Sequence, residues 1–401
     1  MLGNLKKEIT GIVKEMSLTV CPLENLPPSM LAGSLGSYLF LFLNAKVCGD
    51  SYQSIEAGFS DHLMKAINNP KPTFSDGISG VGWLLQTLIN NEILEADELE
   101  SLLLEIDSLV YNYAIEQLKV NNHDFLYGPI GEMVYLVSRV NENPEVEVFL
   151  TEISKQLIGV GEQSQNGFFW YESEFMLEEN QKASEVINLG ISHGLASKII
   201  MLSKLVELGI NTNQNALCLK SCVKFLLHTK KKGVIGTLFP AMITKGQYSE
   251  SSFWWSYGDL GAGIALWRAG TALKNDSMKS EAINVFEYHK GVTMEESSIY
   301  EPSLCRGSAG IALMYLTMFR ETGIKKYYSI AEYWMKETIG LGIKDNGTIR
   351  FQFLNNSATG FKEWFFDSNP TLLMGDIGVG LAMLSFLEKE SSNWESCLLI
   401  S

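Results

Sequence analysis

Residues 303–314 read SLCRGSAGIALM: Gly307, two residues, a second glycine at Gly310, then an unbroken apolar run. The same element returns six more times, as Ala32-Gly33-Ser34-Leu35-Gly36, Asp76-Gly77-Ile78-Ser79-Gly80, Tyr127-Gly128-Pro129-Ile130-Gly131, His193-Gly194-Leu195-Ala196-Ser197, Tyr257-Gly258-Asp259-Leu260-Gly261 and Met374-Gly375-Asp376-Ile377-Gly378. Successive first glycines lie 44 to 68 residues apart, room for two helices and a loop. A chain of 401 residues would by length alone suggest two or three domains, but repeats add to one continuous core, so a single domain over 1–401 is expected.

Each element runs into a segment that is apolar nearly all round, such as IALMYL after Gly310, and so reads as a buried helix. The stretches between carry apolar residues at three-to-four spacing with charges opposite, as in DELESLLLEIDSLVYNYAIEQL, and read as outer helices. Seven such hairpins make an all-α protein. An inner ring of helices wrapped by an outer one, an α/α toroid, is the expected architecture; an open solenoid of the same hairpins is the alternative. Glycine at each inner-helix start is expected to serve positive φ or close backbone approach. Helix N-termini gathered at one mouth would favour anions or thiolates. Three stretches, 167–176, 233–248 and 347–366, read as short-stranded flaps over that mouth, where Trp170 and Trp364, with Trp255 nearby, are candidate ligand contacts.

The composition is 46% hydrophobic and 19% charged with mean hydropathy +0.05, which excludes disorder. A net charge of −15 with no basic run longer than Lys230-Lys231-Lys232 argues against nucleic acid. The apolar run Tyr38 to Leu43 is far short of the roughly 20 residues that cross a bilayer, and the N-terminal MLGNLKKEITGIVKEM has no signal-peptide core. A protein that is not integral to a membrane, and is cytoplasmic, is expected. Six thinly spread cysteines fit a reducing compartment; Cys218 and Cys222 share a helix face and read as packing.

The residue before each first glycine should face the mouth. These residues are Ala32, Asp76, Tyr127, His193, Tyr257, Arg306 and Met374, five of them polar, and a purely structural ring needs no polar groups there.

NLGISHGLAS, WWSYGDLGAG and SLCRGSAGIALM resemble the three signature segments of the lanthionine synthetase C-like family. The resemblance implies a seven-repeat α/α toroid and a role in lanthipeptide biosynthesis. It implies addition of a peptide cysteine thiol to dehydroalanine or dehydrobutyrine, closing a thioether ring on a ribosomally made precursor peptide, with a dehydratase and a transporter as further partners. The family's zinc site is built from Trp-Cys-Tyr-Gly and Cys-His-Gly segments. This chain has Trp255-Ser256-Tyr257-Gly258 and Cys305-Arg306-Gly307, so Ser256 and Arg306 stand where two ligands would, and only Cys305 remains. A serine hydroxyl is a poor zinc ligand and a guanidinium none, so no zinc and no other cofactor is expected.

The same resemblance implies His193 as the acid–base histidine, with Asp124, four residues before Gly128, as its partner, and Tyr257 as a family match; the arginine that cyclases carry would fall at Ser252. Arg306 would stabilise thiolate or enolate charge in place of the metal, or else pair with Asp76 or Asp259. Asp76 and Trp255 join Trp170 and Trp364 as substrate-binding candidates. Read without the family, His193 and Asp124 serve equally as a core histidine and a helix-cap aspartate, and Cys305 as a small buried hydrophobe. Two further readings stand beside the cyclase: a noncatalytic relative that binds a precursor peptide or partner enzyme, and a glycan-active toroid, which would need a flanking carboxylate pair.

Overall fold

Each of the seven repeat elements opens a helix in the computed structural model, which describes residues 2–20, 23–68, 70–177, 182–231, 236–297, 299–345, 348–356, 362–366, 370–388 and 391–401. The helices that follow them are α2 (Ser34–Cys48), α4 (Ile78–Asn90), α6 (Pro129–Arg139), α8 (Leu195–Glu207), α10 (Asp259–Ala272), α12 (Ser308–Thr322) and α14 (Asp376–Leu387). Their first ten or so residues are buried almost without exception, as an all-round apolar helix requires. Between them lie α3 (Gln53–Asn68), α5 (Ala96–Lys119), α7 (Glu145–Gly159), α9 (Thr212–His228), α11 (Asp276–Tyr288) and α13 (Lys325–Gly340). These bury one stripe only. On α5 the buried residues are Leu103, Ile106, Asp107, Val110, Ala114 and Leu118, a three-to-four period. Among the described residues no helix is long and apolar enough to cross a membrane.

The first glycine of every repeat caps its helix with φ between −161° and −110°, so positive φ is not what selects glycine there. Close approach is the reason. A Cβ on the first glycine would collide with the entry loop, as Gly33 with the Pro27 carbonyl, Gly258 with that of Trp254 and Gly307 with that of Glu301. One on the second glycine, Gly36, Gly131, Gly261, Gly310 or Gly378, would collide with the carbonyl six positions earlier, of Met30, Phe125, Trp255, Leu304 or Leu372. The entry loop folds back under its own helix, and its carbonyls take the first helical N–H groups. Ser34, Ile78, Asp259 and Ser308 each donate to the carbonyl seven residues before, at 2.9, 2.5, 3.0 and 3.0 Å. All seven caps are glycines with no side chain to accept a hydrogen bond, so loop carbonyls take that part. At these four helix starts the loop takes the first N–H group, which leaves fewer donors for an anion.

The chain forms two compact units. One comprises 1–71, 75–96 and 292–394. In it α14 packs against both α12 and α2, and α1 (Leu2–Thr19) lies on α14 and α2. Its three-stranded antiparallel sheet is β6 (Gly342–Asp345), β7 (Thr348–Asn356) and β8 (Lys362–Phe366). The other unit comprises 72–74, 97–291 and 395–401. Its inner helices α6, α8 and α10 pack in sequence, and it carries a hairpin of β1 (Glu162–Ser164) with β2 (Gly167–Phe169). It also carries a sheet of β3 (Val186–Asn188), β4 (Met242–Thr244) and β5 (Gln247–Tyr248). The expected flaps thus contain strands, with residues 233–235, 347 and 357–361 outside the described residues.

Candidate functional site

The residue before each first glycine is at least partly accessible in all seven repeats, whereas the glycine after it is buried in all seven. Accessibility switches off at one register position, the start of the inner helix. In the unit that contains 97–291, three of these positions meet. The His193 ring lies 6.4 Å from that of Tyr127, nearly parallel at 14°, and 6.2 Å from that of Tyr257.

Asp124 joins them from the loop before α6. Asn122 Oδ1 accepts the Asp124 N–H at 3.0 Å, and Asp124 Oδ1 accepts the Tyr127 N–H at 2.8 Å, so two successive side-chain turns fix the carboxylate. Its other oxygen, Oδ2, lies 2.7 Å from His193 Nδ1. Asp124 is fully buried, and His193 keeps only 11% of its side chain exposed. Burial alone would raise the carboxyl pKa; the His193 hydrogen bond and charge, the Lys198 charge and the Tyr127 N–H outweigh it and hold Asp124 below its ordinary value. An anionic Asp124 fixes the tautomer: Nδ1 carries the proton and Nε2 remains the nitrogen free to exchange one with a ligand.

The loop before α8 repeats this build. Asn188 Oδ1 accepts the Gly190 N–H at 3.0 Å, the counterpart of Asn122 on Asp124. Asn122 and Asn188 both precede their first glycine by six residues, and a Cβ on Gly128 or Gly194 would strike the amide oxygen. Beneath the pair lie polar groups that sequence reasoning missed. Lys198 is 1% exposed and donates from Nζ to the His193 carbonyl at 2.9 Å. Glu172 accepts the Asn188 amide at 2.9 Å and the Ser173 N–H at 3.0 Å. His123 donates from Nε2 to the Tyr171 carbonyl at 2.8 Å, and burial, then the Lys198 charge, lower its pKa to about 3. Glu132 on α6 is fully buried with neither carboxyl oxygen hydrogen-bonded, and burial and the Asp124 charge push its pKa well above the usual value, so it is neutral. The missed signal was polarity inside segments otherwise apolar, Glu132 in PIGEMVYL and Lys198 in GLASKIIML.

The remaining candidates stand elsewhere. Trp170 is 3% exposed with its indole N–H on the Leu157 carbonyl at 2.8 Å, and Trp255 is fully buried with its N–H on the Leu398 carbonyl at 2.9 Å; both are core residues and present no face to a ligand. Trp364 is on β8 opposite Leu354, and its side chain lies outside the described residues. In the first unit, Asp76 pairs with Lys71 at 3.0 Å. Arg306 donates from Nε to Glu301 Oε1 at 2.7 Å. Glu301 is thus an acidic partner of Arg306 that the sequence does not single out; Asp259 is held by His289 Nε2 at 2.7 Å and by the Leu238 and Phe239 N–H groups at 2.6 and 2.8 Å.

The donor set does not fit zinc. Ser256 is 3% exposed, and Arg306 is a permanent cation tied to a carboxylate, which leaves Cys305 as the sole good donor at the three positions.

A family model described as lanthionine synthetase C-like protein matches residues 24–399. The solved structure of a nisin cyclase matches with a TM-score of 0.66 at 18% identity, covering 99% of this chain and 96% of that one. That likeness shows a shared fold, the α/α toroid class expected from the repeats. Cellobiose 2-epimerase from Bacillus thermoamylovorans B4167 gives a TM-score of 0.44 at 13% identity over 77% of this chain and 86% of that one, too low to carry an argument. No curated protein sequence matches the chain.

Proposed function

Because this chain belongs to the lanthionine synthetase C-like family, we propose that it closes thioether rings in a dehydrated, ribosomally made precursor peptide, and that it does so without the family's zinc. The observation that carries the reading is the 2.7 Å contact between His193 Nδ1 and the buried Asp124 carboxylate.

The reaction adds a cysteine S–H across the C=C bond of dehydroalanine or dehydrobutyrine. Thiols are poor nucleophiles and thiolates good ones, so a base must take the S–H proton. His193 Nε2 is that base, and the imidazolium it forms is stabilised by Asp124 through Nδ1–H. Sulfur then bonds to Cβ, the π pair moves onto the neighbouring carbonyl as an enolate, and Nε2–H returns the proton to Cα. The proton count closes on one histidine, and no atoms are gained or lost. Tyr127 and Tyr257 flank the imidazole and restrict how a peptide approaches it.

The test uses a synthetic peptide with one dehydrobutyrine and one downstream cysteine. Ring closure leaves the mass unchanged, so it is read as loss of the thiol's reaction with a maleimide. His193→Ala should slow closure by about 100-fold or more, the usual scale of general acid–base catalysis. The unsubstituted enzyme should work undiminished with a zinc chelator present. Unchanged closure by the variant would remove His193 from the mechanism, and chelator inhibition would return it to metal chemistry.

A further inference from the structure

We infer that Lys198 is a positioning residue for the His193–Asp124 pair: its buried side chain pins the His193 main chain and supplies the positive charge that the Asp124 and Glu172 carboxylates face. This role rests on the reading of that pair as the proton shuttle.

The placement of Lys198 is costly and local structure does not explain it. It is the fourth residue of α8, at the positive end of the helix dipole, and is 1% exposed. An ammonium buried there is opposed by the dipole and stripped of water, so it persists only where anions answer it. Nζ reaches back past the cap residue Gly194 to the His193 carbonyl at 2.9 Å, which ties the side chain of one turn to the main chain of the acid–base residue. The carboxylates facing it are Asp124 and Glu172, both buried. Both oxygens of Glu172 accept hydrogen bonds, from Asn188 Nδ2 and from the Ser173 N–H, as a carboxylate's do.

The ionisable groups around the pair within its unit are Tyr127 and Tyr257, which flank the imidazole, Asp124 and His123 from the loop before α6, Glu132 from α6, Glu172 from the loop after β2, Lys198 from α8 and Cys222 from α9. His123, Glu132 and Cys222 are held neutral by burial. Burial lowers the Lys198 pKa, and the Glu172 and Asp124 carboxylates that face it oppose that loss of charge. Lys198 therefore sets how readily His193 accepts and releases its second proton: without it the imidazolium faces two unanswered carboxylates and retains its proton.

The experiment follows the imidazole by NMR in protein carrying 15N-labelled histidine, with His193→Gln assigning the signal among the five histidines. Lys198→Met should raise the pH at which His193 titrates by about one pH unit, and Glu172→Gln should lower it by a similar amount, because each removes one charge at short range. The double variant should return towards the starting value, and Lys198→Arg should stay close to it. Opposite signs that cancel are what a merely structural lysine would not produce. Shifts of the same sign, or none, overturn the role. If Lys198→Met does not fold, Glu172→Gln and Lys198→Arg decide it by the same signs. The readout needs no substrate, so failure here leaves the thioether reaction standing, and an enzyme inactive on the peptide leaves the titration intact.

Discussion

His123 and His193 are 70 residues apart in sequence and opposite in environment. His193 lends Nδ1–H to a carboxylate and keeps an accessible edge, whereas His123 is buried, donates only to the Tyr171 carbonyl, and has no partner for Nδ1. A second proton on His123 would place an unpaired N–H in the core, which agrees with a folded pKa near 3. The unfolded chain binds that proton at about pH 6.5. Between the two values the unfolded state holds more protons, so stability falls as pH drops from about 6.5 towards 3. His123→Gln keeps an amide donor and does not titrate. From pH 7 to pH 5 its unfolding free energy in urea should drop by about 2 kcal/mol less than that of the unsubstituted protein; equal drops would show that His123 is not neutral in the fold. Part of the site was legible at this scale. His193 and Tyr257 stand at a repeated register position, and Asp124 followed from the family resemblance. Lys198, Glu172 and Glu132 were not, because nothing in a lone lysine or glutamate says it is buried until its neighbours from other helices are in place.

The glycine repeat located every inner helix from sequence alone, but the reason first attached to it held only in part. Sequence shows that a side chain is missing, not which clash its absence avoids; here that clash is with a carbonyl six residues back, visible only once the entry loop is folded. Gly131 and Gly11 separate the two effects. A Cβ at Gly131 would meet the Phe125 carbonyl and the Phe74 ring. Gly11 lies within α1 with nothing near it. Gly131→Ala should destabilise by about 1–3 kcal/mol or more, the scale of overpacking in a tight core. Gly11→Ala should stabilise by about 0.5–1 kcal/mol through helix propensity alone. Thermal melts of the two variants against the unsubstituted protein check both signs, and a neutral Gly131→Ala would mean that the loop yields and the repeat is not held by this contact.

Among the described residues six outer helices follow the first six inner ones, and α14 is followed by a short turn, Trp394–Leu398. The N-terminal helix covers α14 from the outside. α1 buries Leu5, Ile9, Ile12, Val13 and Met16, a three-to-four stripe, and packs on α14 and α2, while α14 itself touches both α12 and α2. The last inner helix thus meets the first, a contact that an open solenoid would not make, and α1 packs on both. In a linear array, loss of a terminal helix frays only its neighbour and stability declines by increments. Here loss of α1 strips apolar cover from both ends of the repeat series at once. Ile9→Asp, a charge placed in a fully buried position, should therefore release α1 and expose α14 together with α2. Hydrogen exchange should show the amides of α14 and α2 losing protection by a common factor, about 100-fold for a cost near 3 kcal/mol. The control is Leu18→Asp, at a position of α1 that is 78% exposed, which should change neither helix. Loss confined to α1, with α14 and α2 protected as before, would show that α1 merely rests on the repeats and that their ends are joined without it.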